Sequence, residues 1–469
     1  MTTTAGPTDD GQLLRSFSPQ APADLVGEFR ISSGSEVERA VRAAHAAQRE
    51  WWALGAAGRA AALAAAATRL SAEREKATAL VVREVGKPVS EAAGEVARAI
   101  SILTYYSQAC FAAIGDLYPP SLAGLLFSQR RPHGVAGLIT PWNFPLAIPL
   151  WKSAPALASG NAVVLKPAPA APACARLIED LLAPHLPDGA FSLVHGDADT
   201  GRALVNAADI ISFTGSDRVG RAVSAQAGER AVPAQCEMGG QNAAIVFDDA
   251  DPALAAKLVA GAAMGYAGQK CTATRRVIVV DNTEFVDALV AAVSAIPAQA
   301  PESPDTTVGP LISEDARAKV LRAVEIARSA GGQVVAGGAA MPGEGWYVAP
   351  TLITGLAPDH PLAQQETFGP IATIHNARDA EEAVRIANGV RFGLVTSLHG
   401  RDLDRLLQSA NAIDTGLIKV NAPTTGVDFY APFGGEKDSS YGPREQGLDA
   451  LAFYSSTRTV TIAPHGAGG

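Results

Sequence analysis

The chain is poor in several residue types that would mark common classes of protein. Cysteine occurs only 4 times in 469 residues. The four positions, 110, 174, 236 and 271, fit no zinc pattern of the CxxC kind. Four thiols in a chain this long make no disulfide framework either. No stretch of about 18 apolar residues free of charge is present, so no membrane span is expected. The start, MTTTAGPTDDGQLLRS, has no basic region followed by an apolar one, so no secretory signal is expected. The location is therefore read as cytoplasmic. No run of Lys or Arg occurs and the formal net charge is −9, which argues against a nucleic-acid surface. Glycine (45) and proline (31) are spread along the chain, so no low-complexity linker stands out.

What is present is ample apolar material, 48% of residues. At roughly 100–200 residues per domain, the length suggests about two or three domains. Residues 1–15 read as disordered. From Ser35 to Gly86 the pattern is helical, with Ser35 as the N-cap and Glu36 and Glu38 in the first turn. A second helix is expected over Ser90–Phe111. From Val135 the texture changes. Short apolar strands (VAGLIT, AVVLK, FSLVHG, IISF) alternate with helices at Trp151–Leu157, Ala171–Leu182 and Thr200–Asn206. A second series, with AAIVFDD, RRVIVVD and QVVAGG, runs from Ala243 to about Val420. Alternation of this kind predicts βαβ units and mostly parallel sheets in two α/β domains. The final LAFYSSTRTVTI reads as an isolated strand, free to pair with another subunit's sheet.

Three segments carry chemistry. Cys271 lies in GYAGQKCTATR, a Gly-rich turn that is a poor setting for a core-filling residue. A thiol there can attack a carbonyl, provided Lys270 or turn amides help it ionise. Glu237 in CEMGGQN can activate the water that releases a product, and Gly239 and Gly240 allow close approach. Asn143, inside the rigid PWNFP turn, offers an amide for a developing oxyanion. Each has a plainer alternative: a buried free Cys, a solvated Glu, an Asn bonded to its own turn. On the cofactor side, Lys166 ends the strand AVVLK, where open α/β sheets bind ligands. Residues Phe213, Gly215 and Ser216 end another strand and enter a helix, whose N-terminus can accept a phosphate. That segment is not the GxGxxG fingerprint, and Lys166 reads equally as a surface lysine.

In order, PWNFP, Lys166-Pro167, FTGS, EMGG, GQKC, Glu366-Thr-Phe-Gly-Pro370 and Pro432-Phe-Gly-Gly435 resemble the aldehyde dehydrogenase superfamily over about residues 30–462. The resemblance implies an α/β fold with a Rossmann-like cofactor domain (1–114 and 134–236), a catalytic domain (237–445) and a small β oligomerisation element (115–133 and 451–463). It implies a homodimer or homotetramer. It assigns Cys271 as nucleophile, Glu237 as general base and Asn143 as oxyanion donor, with Lys152 in proton relay. It implies NAD or NADP as cofactor, touched by Thr140, Pro141, Trp142, Lys166, Phe213, Gly215, Ser216, Met238, Gly239, Glu366 and Phe368. The expected substrate walls are Phe144, Trp151, Lys270, Thr272 and Phe433. The implied cycle is a hemithioacetal, then a thioester, then hydrolysis to the acid.

Some positions depart from the family pattern. Pro169 replaces a Glu that NAD users often carry, which should admit NADP. Against that, HGDADTG lacks a usual glycine and carries Asp197 and Asp199. A C-terminal Glu used by some members as a proton exit falls here at Ser456, so proton release must run through other groups. WNFPLAIPLWKSAPALASGN, GQKCTAT and SSYGPREQG look most similar to α-ketoglutaric semialdehyde dehydrogenases, which implies an acidic semialdehyde. Lys270 beside the thiol then either attracts the carboxylate or faces solvent. The aromatic walls suit an apolar or aromatic aldehyde equally. Rival readings are a CoA-acylating dehydrogenase, a thiol esterase and a non-enzymatic use of the fold.

Overall fold

The strand cores explain the architecture. In Val135–Ile139, Ala162–Lys166 and Ile210–Thr214 every residue is buried. Fully buried strands belong to a parallel sheet covered on both faces. The computed structural model, which describes residues 12–112, 115–121 and 123–464, shows this arrangement. These strands sit in a six-stranded sheet ordered 440–441, 234–237, 210–214, 135–139, 162–166, 191–193. All pairings are parallel except that of Ser440–Tyr441 with Ala234–Glu237. Side chains alternate between two cores. Ala136, Leu138, Val163 and Leu165 pack with Trp51, Leu63, Ile102 and Leu150 on one face. Val135, Ile139, Val164 and Ile211 pack with Val37, Val41 and Leu204 on the other.

A second sheet of seven strands runs 333–336, 351–354, 371–377, 274–280, 242–246, 395–399, 417–420. Only its first pair is antiparallel. It too is covered on both faces, with Val277 and Val279 in one core and Ile278 and Val280 in the other. The expectation of mostly parallel α/β sheets therefore holds for both.

Several local expectations differ. The helical stretch before Gly86 is three helices, Gly34–Ala53, Gly55–Ala72 and Arg74–Val85. The N-cap of the first is Ser33 and not Ser35, because only Ser33 completes a capping box with Glu36. Gly86 ends the third in a left-handed conformation, where a Cβ would meet Pro310 Cγ at 2.6 Å. The next helix is Val89–Ala109. The helix expected from Trp151 begins a turn earlier, at Ala147, and runs to Ala158. Disorder was expected over residues 1–15, yet Leu13–Phe17 is a strand paired with Leu25–Arg30; residues 1–11 lie outside the described residues. The C-terminal segment is not an isolated strand. Asp449–Phe453 is helical, and Ser455–Ile462 pairs antiparallel with Leu125–Pro132 of its own chain. With Leu117–Tyr118 they form a three-stranded sheet. No described helix is long and apolar enough to cross a membrane.

Candidate active site

Just before the strand Thr274–Val280 the chain makes a strained turn. Tyr266 and Ala267 take left-handed backbone, φ 54° and 52°. Non-glycine residues there need tertiary support, and the support is visible. The Arg275 guanidinium donates to the Gly268 carbonyl and, at 2.6 Å, to that of Gly369. The Gln269 amide donates to the Pro310 carbonyl (3.1 Å) and accepts from the Ile312 amide (2.9 Å). Asn242 Nδ2 donates to the Cys271 and Ala273 carbonyls at 2.7 and 2.8 Å. This bracing presents Cys271, partly exposed, to a cavity of about 250 Å³. The same cavity is lined by Phe144, Trp151, Lys270, Thr272 and Phe433, so all five expected wall residues meet there.

Asn143 is buried beside the turn and donates Nδ2–H to the Gln269 carbonyl at 2.9 Å. An amide nitrogen carries two hydrogens, so one remains for an oxyanion. Glu237 ends the strand Ala234–Glu237 and is buried. Its Oε2 accepts from Ser440 Oγ at 2.5 Å, and its Oε1 has no partner among the described residues. An unpartnered buried carboxyl oxygen suits a group that handles water. Burial, and then the nearby Glu445, hold its carboxyl well above the usual range.

Lys270 does not activate the thiol as anticipated. Its ammonium is paired with Glu91 at 2.8 Å. The Cys271 thiol is pushed up to about 12, first by burial and then by the Glu366, Glu237 and Glu445 carboxylates. It rests as the neutral thiol.

Lys152 lies on the helix Ala147–Ala158 and is buried. It forms an ion pair with Glu445 and donates to Ser212 Oγ at 2.7 Å. Glu445 Oε2 also accepts from Trp151 Nε1 at 2.9 Å, and Ser212 donates to Gln235. Glu445, Ser440 and Asn242 were not singled out from sequence. Lys152 and Glu445 are 293 residues apart, and no local spacing links them. Ser456 lies away from this network, on the three-stranded sheet opposite Arg131.

The nucleotide side sits at the carboxyl ends of the parallel strands. The strand order reverses between Val135–Ile139 and Ile210–Thr214, which marks the ligand crevice of such sheets. Thr140, Pro141 and Trp142 follow the first strand; Gly215 and Ser216 follow the second. The helix Asp217–Glu229 begins after Ser216 with no side-chain cap; Val219 N–H turns back to the Ser216 carbonyl, and the helix N-terminus favours a phosphate at its start. Phe213 and Met238 pack beneath Gly220. Lys166 is buried, bonds only the Pro167 carbonyl (3.0 Å) among the described residues, and is pushed down to about 8 by burial. Thr140 Oγ1 is buried without a partner among the described residues. Glu366 is raised to about 7 by burial, and Arg275 opposes the shift. It faces Gly239, where a Cβ would lie 2.1 Å from its Oε2. Phe368, left-handed at φ 56°, packs edge-on to Trp142 at 5.7 Å. A helix start without a side-chain cap, a spare ammonium and an unpaired hydroxyl at one crevice fit a dinucleotide. Among the described residues, no group of three or more side chains is placed to hold a metal ion.

Known proteins share this fold and much of this sequence. The pattern of the aldehyde dehydrogenase family matches residues 7–460. The α-ketoglutaric semialdehyde dehydrogenase of Bacillus subtilis is 38% identical over 468 residues, covering 97% of this chain and 96% of its own. The solved NAD-dependent aldehyde dehydrogenase from Sinorhizobium meliloti superposes with a TM-score of 0.94 at 30% identity, over 98% of this chain and 93% of that one. Betaine aldehyde dehydrogenase from Staphylococcus aureus, in complex with NAD+, gives a TM-score of 0.93 at 27% identity, over 97% and 92%. The fold and crevice define a nicotinamide-dependent oxidoreductase. Within that class the chain belongs to the aldehyde dehydrogenase family and is an aldehyde dehydrogenase.

Proposed function

We propose that the enzyme oxidises an acidic semialdehyde to the dicarboxylic acid, through a thioester on Cys271 that is released by water. The observation that carries this reading is the shared cavity of Cys271, the aromatic walls and several charged side chains. The Cys271 thiol gives up its proton to solvent in the cavity, Sγ attacks the aldehyde carbon, and the carbonyl oxygen becomes an oxyanion, met by the free Asn143 N–H and the turn. The bound nicotinamide nucleotide supplies the hydride acceptor. Having lost its hydride, the adduct on Cys271 is a thioester. Glu237 takes a proton from water, the resulting hydroxide adds to the thioester, and the acid leaves as the thiol is restored. Glu445, Lys152 and Ser212 form a buried chain of exchangeable protons behind Glu237. The unpartnered Glu237 oxygen favours water as the acyl acceptor over CoA. Esterase turnover is the second half of the same cycle.

For the nucleotide, Thr140, Pro141, Trp142, Lys166, Phe213, Gly215, Ser216, Met238, Gly239, Glu366 and Phe368 form the contact surface. Pro169 supplies no carboxylate against a 2′-phosphate, and Asp199 is already paired with Arg202. The Asp197 side chain stands near Lys166 and opposes the effect of burial on that ammonium. The balance favours use of both NAD and NADP. Exposed Leu117, Leu125 and Ile462 on the three-stranded sheet support its use in a homodimer or homotetramer. That element comprises 115–133 and 451–463, beside a cofactor domain of 1–114 with 134–236 and a catalytic domain of 237–445. Dependence on a free thiol suits a reducing compartment, the cytoplasm.

The test is absorbance of the reduced nicotinamide with a panel of aldehydes, each with NAD and NADP. Preference for semialdehydes bearing a carboxylate supports the reading. Preference for alkanals or benzaldehydes keeps the chemistry and replaces the substrate class, with Phe144, Trp151 and Phe433 as its determinants.

A further inference from the structure

One stripe of the helix Val89–Ala109 faces the substrate cavity: Glu91, Gly94, Glu95 and Arg98. Their spacing puts them on one helical face. Gly94 leaves open space, with nothing within 4 Å of where a Cβ would stand. The charges on this stripe differ in what they already hold. Glu91 is paired with Lys270. Glu95 pairs with the buried Lys87 and accepts the Leu146 and Ala147 amides at 2.9 and 3.0 Å. Both carboxylates and both lysines are therefore matched. Arg98 is not. Its guanidinium donates to the Val427 carbonyl and has no carboxylate within 4 Å among the described residues. Asp428 and Glu95 act on it only from longer range.

We propose that Arg98 is the specificity-determining residue that binds the carboxylate at the far end of the substrate. This rests on the acidic-semialdehyde reading above and names the group that would enforce it. A guanidinium carries five N–H donors, so the bond to Val427 leaves a fork for a bidentate carboxylate. Arg98 is half-buried, where such a pair is stronger than in open water. Phe144, Trp151 and Phe433 line the same cavity as Cys271 and cover the carbon chain between the two ends. Lys270 is adjacent to the thiol in sequence, yet its charge is already neutralised by Glu91. The unmatched cation comes instead from a helix far away in the chain.

The experiment compares α-ketoglutaric semialdehyde with pentanal, which matches its carbon number and lacks the charge. The wild type, Arg98→Met, Arg98→Lys and Lys270→Met are assayed with NAD. Arg98→Met should lower kcat/KM for the semialdehyde roughly 10- to 100-fold, mostly through KM, the loss expected of a hydrogen-bonded charge. Its activity on pentanal should hold or rise, which also shows that the variant is folded. Arg98→Lys should recover part of the loss, and Lys270→Met should discriminate better than Arg98→Met. If the wild type prefers the semialdehyde and Arg98→Met keeps that preference, the Arg98 assignment is wrong and the substrate reading stands. If Arg98→Met loses both substrates equally while Arg98→Lys restores both, Arg98 only positions the Val427 loop. A wild type that oxidises pentanal as well as the semialdehyde overturns both ideas.

Discussion

Replacing Glu445 by Gln tests whether the buried pair behind the active site has a chemical role. Lys152 and Glu445 are almost wholly buried, with side chains 1% and 3% exposed. Removing one partner of such a pair typically costs about 3–5 kcal/mol, because a charge stays buried without its counter-ion. Ser212 still accepts from Lys152, and the glutamine oxygen is still an acceptor, so the loss should fall at the lower end of that range. A structural pair would show nothing more. The electrostatics predict a second effect. The Glu445 carboxylate helps to raise both Glu237 and Cys271. Without it, both groups ionise at lower pH, and the unbalanced Lys152 ammonium pushes Glu237 the same way. The working base and thiolate are the deprotonated forms, so the rising limb of kcat/KM against pH should move toward acid. Urea melts give the stability term, and initial rates across pH give the kinetic one. A variant that loses stability while its pH profile stays in place would refute the electrostatic role. The pair would then be structural alone.

Three further outcomes follow from the site. Cys271→Ala should abolish aldehyde oxidation while leaving nucleotide affinity within about twofold, since uncharged small substitutions off the binding surface change little; turnover near the wild type would remove the thiol from the mechanism. Glu237→Gln should show a burst of reduced nucleotide followed by slow turnover, read by stopped flow. Because Cys271 rests protonated, loss of the burst as well would assign Glu237 to thiol activation before hydride transfer. Glu366 is raised to about 7, and the ribose contact proposed for it calls for the ionised form, which accepts hydrogen bonds from a diol. Nucleotide binding should therefore tighten as pH rises through about 7. Calorimetry should show that dependence in the wild type and a flat response in Glu366→Gln.

Much of the fold was legible because βαβ alternation leaves a periodic trace. Apolar strands such as VAGLI and AVVLK, set between amphipathic helices, dictate a parallel sheet covered on both faces. Boundaries were less legible. Ser33 and Ser35 are both good caps by type, and only the reciprocal bond with Glu36 decides between them. The C-terminal strand looked unpartnered because its neighbour, Leu125–Pro132, lies more than three hundred residues earlier in the chain.

The segments around Cys271, Glu237 and Asn143 were visible because each places a reactive side chain in an unusual local setting: a glycine-rich turn, a strand end before two glycines, a turn between prolines. Local sequence therefore determined the residue types available for the chemistry and the class of sheet that holds them. Tertiary structure decided how those residues are charged and paired. It matched Lys270 to Glu91, and so withdrew the help expected for the thiol. It set Glu445 against Lys152, supplying a partner that no spacing could indicate. It left Arg98 in the cavity with no carboxylate within 4 Å among the described residues. Burial and charge pairing depend on which distant segments meet, and those contacts exist only once the two sheets and their helices have packed.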